Sequence, residues 1–220
     1  MALYIDCAFL NDITNVGRTL PLAGVTTNPT ILLAARERGQ SLPPRQLLTE
    51  LLRVQDGTVF IQPGAADEEG MYAEASDYIQ AAPERVIPKI PMTDAGVRVA
   101  RRLKAGQRIA FTAVTNVSQT YIAAMVQADF IIPYYNRLQR AGIDANERIA
   151  DMASILQNCR QPTRILVASI KTQQEAAQAL LAGADDLTVG PQVLLEMVSD
   201  PLSEQAVEKF SQDWQKMNKL

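Results

Sequence analysis

Eight short apolar runs, alternating with amphipathic stretches along the whole chain, predict a (β/α)8 barrel with one additional helix at the C-terminus. Three observations carry this prediction. The runs are brief and rich in β-branched and aromatic residues, which favours buried strands over pieces of helix. Their unbroken alternation with amphipathic segments calls for a parallel sheet with helices outside it. The glycine fingerprint GxGxxG, which a doubly wound open sheet would place after its first strand, is absent. The 220 residues fit a single domain over 1–220, close to the lower limit of the barrel fold at about 200 residues.

The strands follow in order. They are Leu3–Asp6, Ala23–Thr26, Thr58–Gln62, Val86–Ile90, Arg108–Thr112, Phe130–Tyr134, Arg164–Ser169 and Leu187–Val189. Between them lie stretches with helix stops and starts. Thr93 opens a helix that runs through VRVARRLKA to Gly106. Thr172 and Glu175 form a capping-box pair before AAQALLAG, and Gly183 is placed to end that helix. After the eighth unit, Ala206, Val207, Phe210, Trp214 and Met217 recur at helical spacing over 203–218. That helix either packs on its own barrel or docks on a neighbouring subunit.

Composition narrows the chemistry. With 21 basic and 24 acidic residues the net charge is −3, and no basic surplus attracts nucleic acid. No apolar run reaches the roughly 18 residues of a membrane span, and the N-terminus lacks a signal-peptide layout, so a cytoplasmic location is expected. Cys7 and Cys159 have no CxxC spacing and read as reduced thiols. The histidine count is zero, which excludes Ser-His-Asp triads, Cys-His dyads and histidine zinc sites. No EF-hand spacing is present either, so neither a metal nor another cofactor is expected.

Barrel enzymes draw their reacting groups from the C-terminal ends of the strands and the loops just beyond. Here those positions hold Asp6, Thr26 with Asn28, Gln62, Lys89, Thr112, Tyr134 with Arg137, Ser169 with Lys171, and Thr188. Thr26, Thr112 or Thr188 taken alone reads as an edge cap. Convergence of the whole set on one face points to a site.

Lys89 is the sharpest member, flanked by Ile87, Pro88, Ile90 and Pro91. Taking an ammonium out of water favours the neutral amine, the form that attacks carbonyls. An amine in a site without histidine suggests imine catalysis of carbon–carbon bond cleavage or formation. Asp6 can then act as acid or base, while Tyr134, Gln62 and Thr112 can hold a proton-relaying water. Arg137, Ser169 and Lys171 together offer a charge-assisted site for a phosphate or similar anion.

At these residues the sequence resembles the small transaldolase and fructose-6-phosphate aldolase family. The resembling blocks are AGVTTNPT (23–30), VFIQ (59–62), PKIP (88–91), FTAV (111–114), PYYNR (133–137), ASIKT (168–172) and FSQDW (210–214). The resemblance implies a barrel without metal and Lys89 as the Schiff-base lysine. It further implies that Asp6 and Asn28 contact a dihydroxyacetone unit, while Arg137 and Ser169 bind the sugar phosphate. The pair Gln62 and Tyr134 looks like the aldolase subgroup, since the transferring enzymes commonly carry Glu and Phe there. Short members of the family look like homo-oligomers of five or ten subunits, with the terminal helix reaching a neighbour. A transaldolase is the nearest alternative, and a barrel that binds a sugar phosphate without turnover is a third.

Overall fold

The structure is a computed structural model and describes residues 1–218, so Lys219 and Leu220 of the expected 1–220 domain lie outside the described residues. Eight parallel strands close on themselves in chain order. They are β1 (Leu3–Asp6), β2 (Gly24–Thr26), β3 (Thr58–Ile61), β4 (Val86–Pro91), β5 (Ala110–Val114), β6 (Phe130–Pro133), β7 (Arg164–Ile170) and β8 (Asp186–Val189). Closure comes from β8 pairing with β1, Tyr4 opposite Thr188. The barrel expectation holds, and every expected strand is present with ends shifted by at most two residues.

β4 shows why the ends matter. Its first half, Val86–Pro88, pairs with β3, and its second half, Lys89–Pro91, pairs with β5. The stagger inherent in a closed barrel produces this division. Lys89 thereby sits in the upper half of the wall. β5 begins at Ala110 and continues past the expected Thr112 to Val114, while Gln62 and Tyr134 stand just beyond their strands.

Alternation along each strand sorts side chains into two cores. Tyr4, Phe60, Ile87, Ala110, Phe130, Ile132, Tyr134, Leu166 and Ala168 pack together inside the barrel. Their strand neighbours, among them Ile5, Val25, Val59, Ile61, Ile90, Phe111, Ile131 and Val167, join the larger core under the helices. Within the interior, Phe60 meets Tyr4 and Phe130 edge to face, with ring centroids 5.3 and 5.1 Å away. These aromatic rings fill the lower barrel, as their quadrupoles favour. The same parity places Asp6 above Tyr4, Lys89 above Ile87 and Thr112 above Ala110, on the inner face.

Eleven helices are present among the described residues: α1 (Leu10–Gly17), α2 (Pro29–Glu37), α3 (Pro44–Val54), α4 (Glu68–Ala81), α5 (Asp94–Leu103), α6 (Val117–Met125), α7 (Tyr135–Arg140), α8 (Ala145–Cys159), α9 (Gln173–Leu181), α10 (Pro191–Glu196) and α11 (Pro201–Met217). Thr93 caps α5, its hydroxyl accepting from the Gly96 amide at 3.1 Å. A Cβ at Gly96 would lie 1.9 Å from the Pro91 carbonyl oxygen, so only glycine lets α5 seat this closely on the end of β4. The helix ends at Leu103, short of the expected Gly106, because its amphipathic stripe is complete there.

At α9 the Thr172 hydroxyl accepts from the Glu175 amide, which is half of the expected capping box. The other half differs. The Glu175 carboxylate reaches one residue further back and accepts from the Lys171 amide at 2.7 Å, tying the end of β7 to the helix. Gly183, at φ +105°, turns the chain out of α9 as expected.

The N-terminal end of the barrel is locked by charge. Arg164 grips the fully buried Asp186 with two bonds of 2.7 and 2.6 Å, and the Ala2 amide donates to the same carboxylate at 2.6 Å. The terminal helix behaves differently. α11 buries none of its residues, and Leu202, Val207, Phe210, Trp214 and Met217 are all exposed. Packing on its own barrel is therefore not what the chain does with this apolar stripe.

Candidate active site

The wall of β4 places Lys89 inside the barrel with 1% of its surface exposed. Outward-facing Pro88 and Ile90 alternate with it and anchor the strand on its neighbours. Among the described residues Lys89 makes no salt bridge, although the Asp6 carboxyl is near enough for the two charges to act on each other.

Asp6 ends β1 on the same inner face, half-buried. Removal from water pushes its carboxyl above the ordinary carboxylate range, while the Lys89 charge, a Thr26 hydrogen bond and the Lys171 charge pull it back. The Thr26 hydroxyl donates to Asp6 Oδ1 at 2.6 Å. It also lies 2.6 Å from the Thr188 hydroxyl. Thr26 and Thr188 are fully buried, so neither exchanges its partner for solvent.

Thr112 from β5 and Tyr134 after β6 meet across the mouth, hydroxyl to hydroxyl at 2.7 Å. The Arg137 guanidinium lies over the Tyr134 ring, 4.5 Å from its centroid, and makes no ion pair among the described residues. Arg137 belongs to the first turn of α7 and is exposed, as is Lys171 beyond β7. Ser169, near the end of β7, is half-buried with φ at +61°. Ala113 adopts the same left-handed conformation, φ +58°, and the β5–β6 and β7–β8 registers slip at these two residues. Non-glycine residues reach this region at a cost that concentrates at functional sites. The two bulges bend β5 and β7 at the rim beside Thr112 and Lys171.

Asn28 caps α2, its Oδ1 accepting from the Ile31 amide at 3.0 Å. The oxygen is committed to the helix, and the Nδ2 donors remain for a ligand. Gln62, one residue beyond β3, continues the inward parity of Phe60. It is half-buried and lines a cavity of about 510 Å³ between α2, α3 and α4. Two features escaped the sequence reading. One is the contact of Thr26 with Thr188, 162 residues apart. The other is a clamp in which Arg38 stacks on Phe9 at 3.9 Å and grips Asp12, fastening the loop after Asp6 to α2. Aromatic and acidic residues in the β1–α1 segment signal no partner of their own.

No helix among the described residues is long and apolar enough to cross a membrane. Among solved structures the chain is similar to three other barrels. One is described as a deoxyribose-phosphate aldolase from Coccidioides immitis, 10% identical, with a TM-score of 0.58 over 85% of this chain and 78% of that one. A variant of mandelate oxidase bearing an FMN adduct is 12% identical, with a TM-score of 0.59 over 87% of this chain and 64% of that one. Inosine 5′-monophosphate dehydrogenase from Legionella pneumophila is 14% identical, with a TM-score of 0.62 over 88% of this chain and 59% of that one. At such identities these likenesses establish the fold alone. A sequence model of the Transaldolase/Fructose-6-phosphate aldolase family matches residues 3–220. A buried strand lysine facing a carboxylate inside the barrel, and a family match over almost the entire chain, agree: the chain belongs to the transaldolase/fructose-6-phosphate aldolase family.

Proposed function

We propose that the protein is a class I aldolase that reversibly cleaves a ketose 6-phosphate, most simply fructose 6-phosphate, to dihydroxyacetone and glyceraldehyde 3-phosphate. The observation that carries this reading is the burial of Lys89 on the inner face of the barrel. Its amine adds to the C2 ketone and water leaves, giving an iminium. The C4 hydroxyl then loses its proton to Asp6, directly or through water. The C3–C4 bond breaks, its electron pair flows into the iminium as an enamine, and the aldehyde departs. Protonation at C3 and addition of water at C2 release dihydroxyacetone and restore the amine.

The Thr112–Tyr134 pair supports hydrolysis, because two hydroxyls at 2.7 Å present a polar edge on which a water can be oriented. Arg137, Ser169 and Lys171 surround the rim where the phosphate end would lie, and Arg140 in the same short helix adds a further charge. Asn28 Nδ2 and Thr26 would face the dihydroxyacetone end. Metal independence and the lack of any cofactor belong to the same proposal and rest on the histidine-free sequence. The exposed stripe on α11 supports assembly with further copies of the chain, as rings of five or ten subunits in the cytoplasm.

Borohydride reduction in the presence of fructose 6-phosphate tests the reading. A three-carbon or sugar adduct is expected on the Lys89 peptide by mass spectrometry. Folded protein that remains unlabelled overturns it. Transfer of the dihydroxyacetone unit is the second reading, since the matched family includes both activities. It requires an acceptor such as erythrose 4-phosphate, so product formed without acceptor decides for cleavage.

A further inference from the structure

One buried hydroxyl at the barrel mouth has no part in the chemistry above. We infer that Thr188 is a positioning residue that orients the Asp6 carboxylate for proton transfer by acting through Thr26. The inference rests on the aldolase reading only for the role it gives Asp6.

β1 pairs Asp6 with Thr26 on one side and Tyr4 with Thr188 on the other. The Thr188 side chain therefore reaches Thr26 across the inside of β1. Three oxygens stand in a line, Asp6 Oδ1 to Thr26 Oγ1 to Thr188 Oγ1, each step 2.6 Å. A hydroxyl has a single proton. While Asp6 is ionised, the Thr26 proton is committed to the carboxylate, so Thr188 must donate to Thr26. That donation polarises the Thr26 hydroxyl and strengthens its bond to the charge. When Asp6 takes up a proton at Oδ1 it can donate to Thr26, whose own proton then turns to Thr188. The line reverses while its three oxygens stay in place, which suits a carboxyl that must accept and return a proton in one turnover.

The other titratable groups around Asp6 are Lys89 on β4, Lys171 beyond β7 and the neighbouring Cys7. Burial pushes the Cys7 thiol up to about 11, so it stays protonated at neutral pH. Asp12 and Arg38, which also face Cys7, are paired with each other. A substitution at Thr188 removes no charge from this group, so a change in the Asp6 titration reports the hydroxyl line.

Thr188→Val preserves shape and removes the hydroxyl, while Thr188→Ser keeps the hydroxyl and loses a methyl. In Thr188→Val the limb of the kcat profile that follows Asp6 ionisation is expected to move to higher pH. Its kcat should fall about fivefold, the loss of one ordinary hydrogen bond, with KM changed less than twofold. Thr188→Ser should restore both. A carbon-13 titration of the Asp6 carboxyl in the ligand-free protein should show the same upward shift without any turnover. A packing role predicts the opposite ranking, with the serine variant impaired and the valine variant normal. That ranking, or an unmoved titration, overturns the inference. Thr188→Ala replaces the valine variant in both measurements should the latter fail to fold. Failure of wild-type Lys89 to be trapped would instead overturn the aldolase reading, and the titration would still judge Thr188.

Discussion

The Thr112 hydroxyl and the Tyr134 phenol share a hydrogen bond of 2.7 Å beneath the Arg137 guanidinium. Each belongs to a different strand end, so the phenol is fixed from both sides. Tyr134→Phe leaves the ring in place for Arg137 and removes the hydroxyl. Release of free dihydroxyacetone should fall by about two orders of magnitude, the usual contribution of a positioned proton-transfer group. Transfer to erythrose 4-phosphate should be less affected, because an acceptor takes the place of water. A coupled assay with and without acceptor reads the ratio, and equal losses would contradict the assigned role.

Lys89→Met should abolish turnover and borohydride labelling. The buried position will accept methionine well, since a polar chain end only 1% exposed is exchanged for an apolar chain of similar length. The variant is expected to melt at or above the wild-type temperature by calorimetry. A large drop would mean that the ammonium supports the fold.

The pH dependence of stability follows from Asp6. Burial holds its pKa above the unfolded value of 3.8, so the folded chain binds this proton more tightly than the unfolded chain. The stabilising contribution is complete below the unfolded value and is lost as pH rises through the folded one. Above the folded value the ionised carboxylate is therefore a burden. Asp6→Asn should raise the melting temperature at pH 7, and that advantage should shrink as the pH approaches the ordinary carboxylate range. Turnover should drop at least about a hundredfold. A melting difference independent of pH would contradict the titration.

Arg164 and Asp186 test the closed end of the barrel. Arg164→Met leaves a fully buried carboxylate with only the Ala2 amide, and should cost about 3 kcal/mol in urea unfolding. The borohydride adduct should still form on the folded fraction, because the change lies at the opposite end from Lys89.

Removal of 203–220 tests the exposed stripe of α11. Light scattering should show a smaller assembly than the full chain gives. An unchanged mass would remove the terminal helix from the proposed assembly.

The strands were legible because each is a short apolar run rich in β-branched and aromatic residues, and Lys89 stood out as a lysine inside such a run. Sequence could not place partners across the barrel. Asp6, Thr26 and Thr188 come together through shear and closure, which no local pattern encodes. Nor did Ala113 and Ser169 announce their left-handed backbone, since neither is glycine or asparagine. Helical spacing gave α11 its stripe but not its surroundings, because an amphipathic pattern records that a face is covered and not by what.

The edge-to-face rings of Tyr4, Phe60 and Phe130 fill the lower barrel and leave the upper rim as the way to Lys89. In the proposed reaction the ketose would enter and both fragments would leave by that rim. The aldehyde released from the outer end must clear before water reaches the fragment still tethered to Lys89. The proposed cleavage thus predicts sequential departure, with added dihydroxyacetone rebinding the emptied pocket and competing directly with incoming ketose.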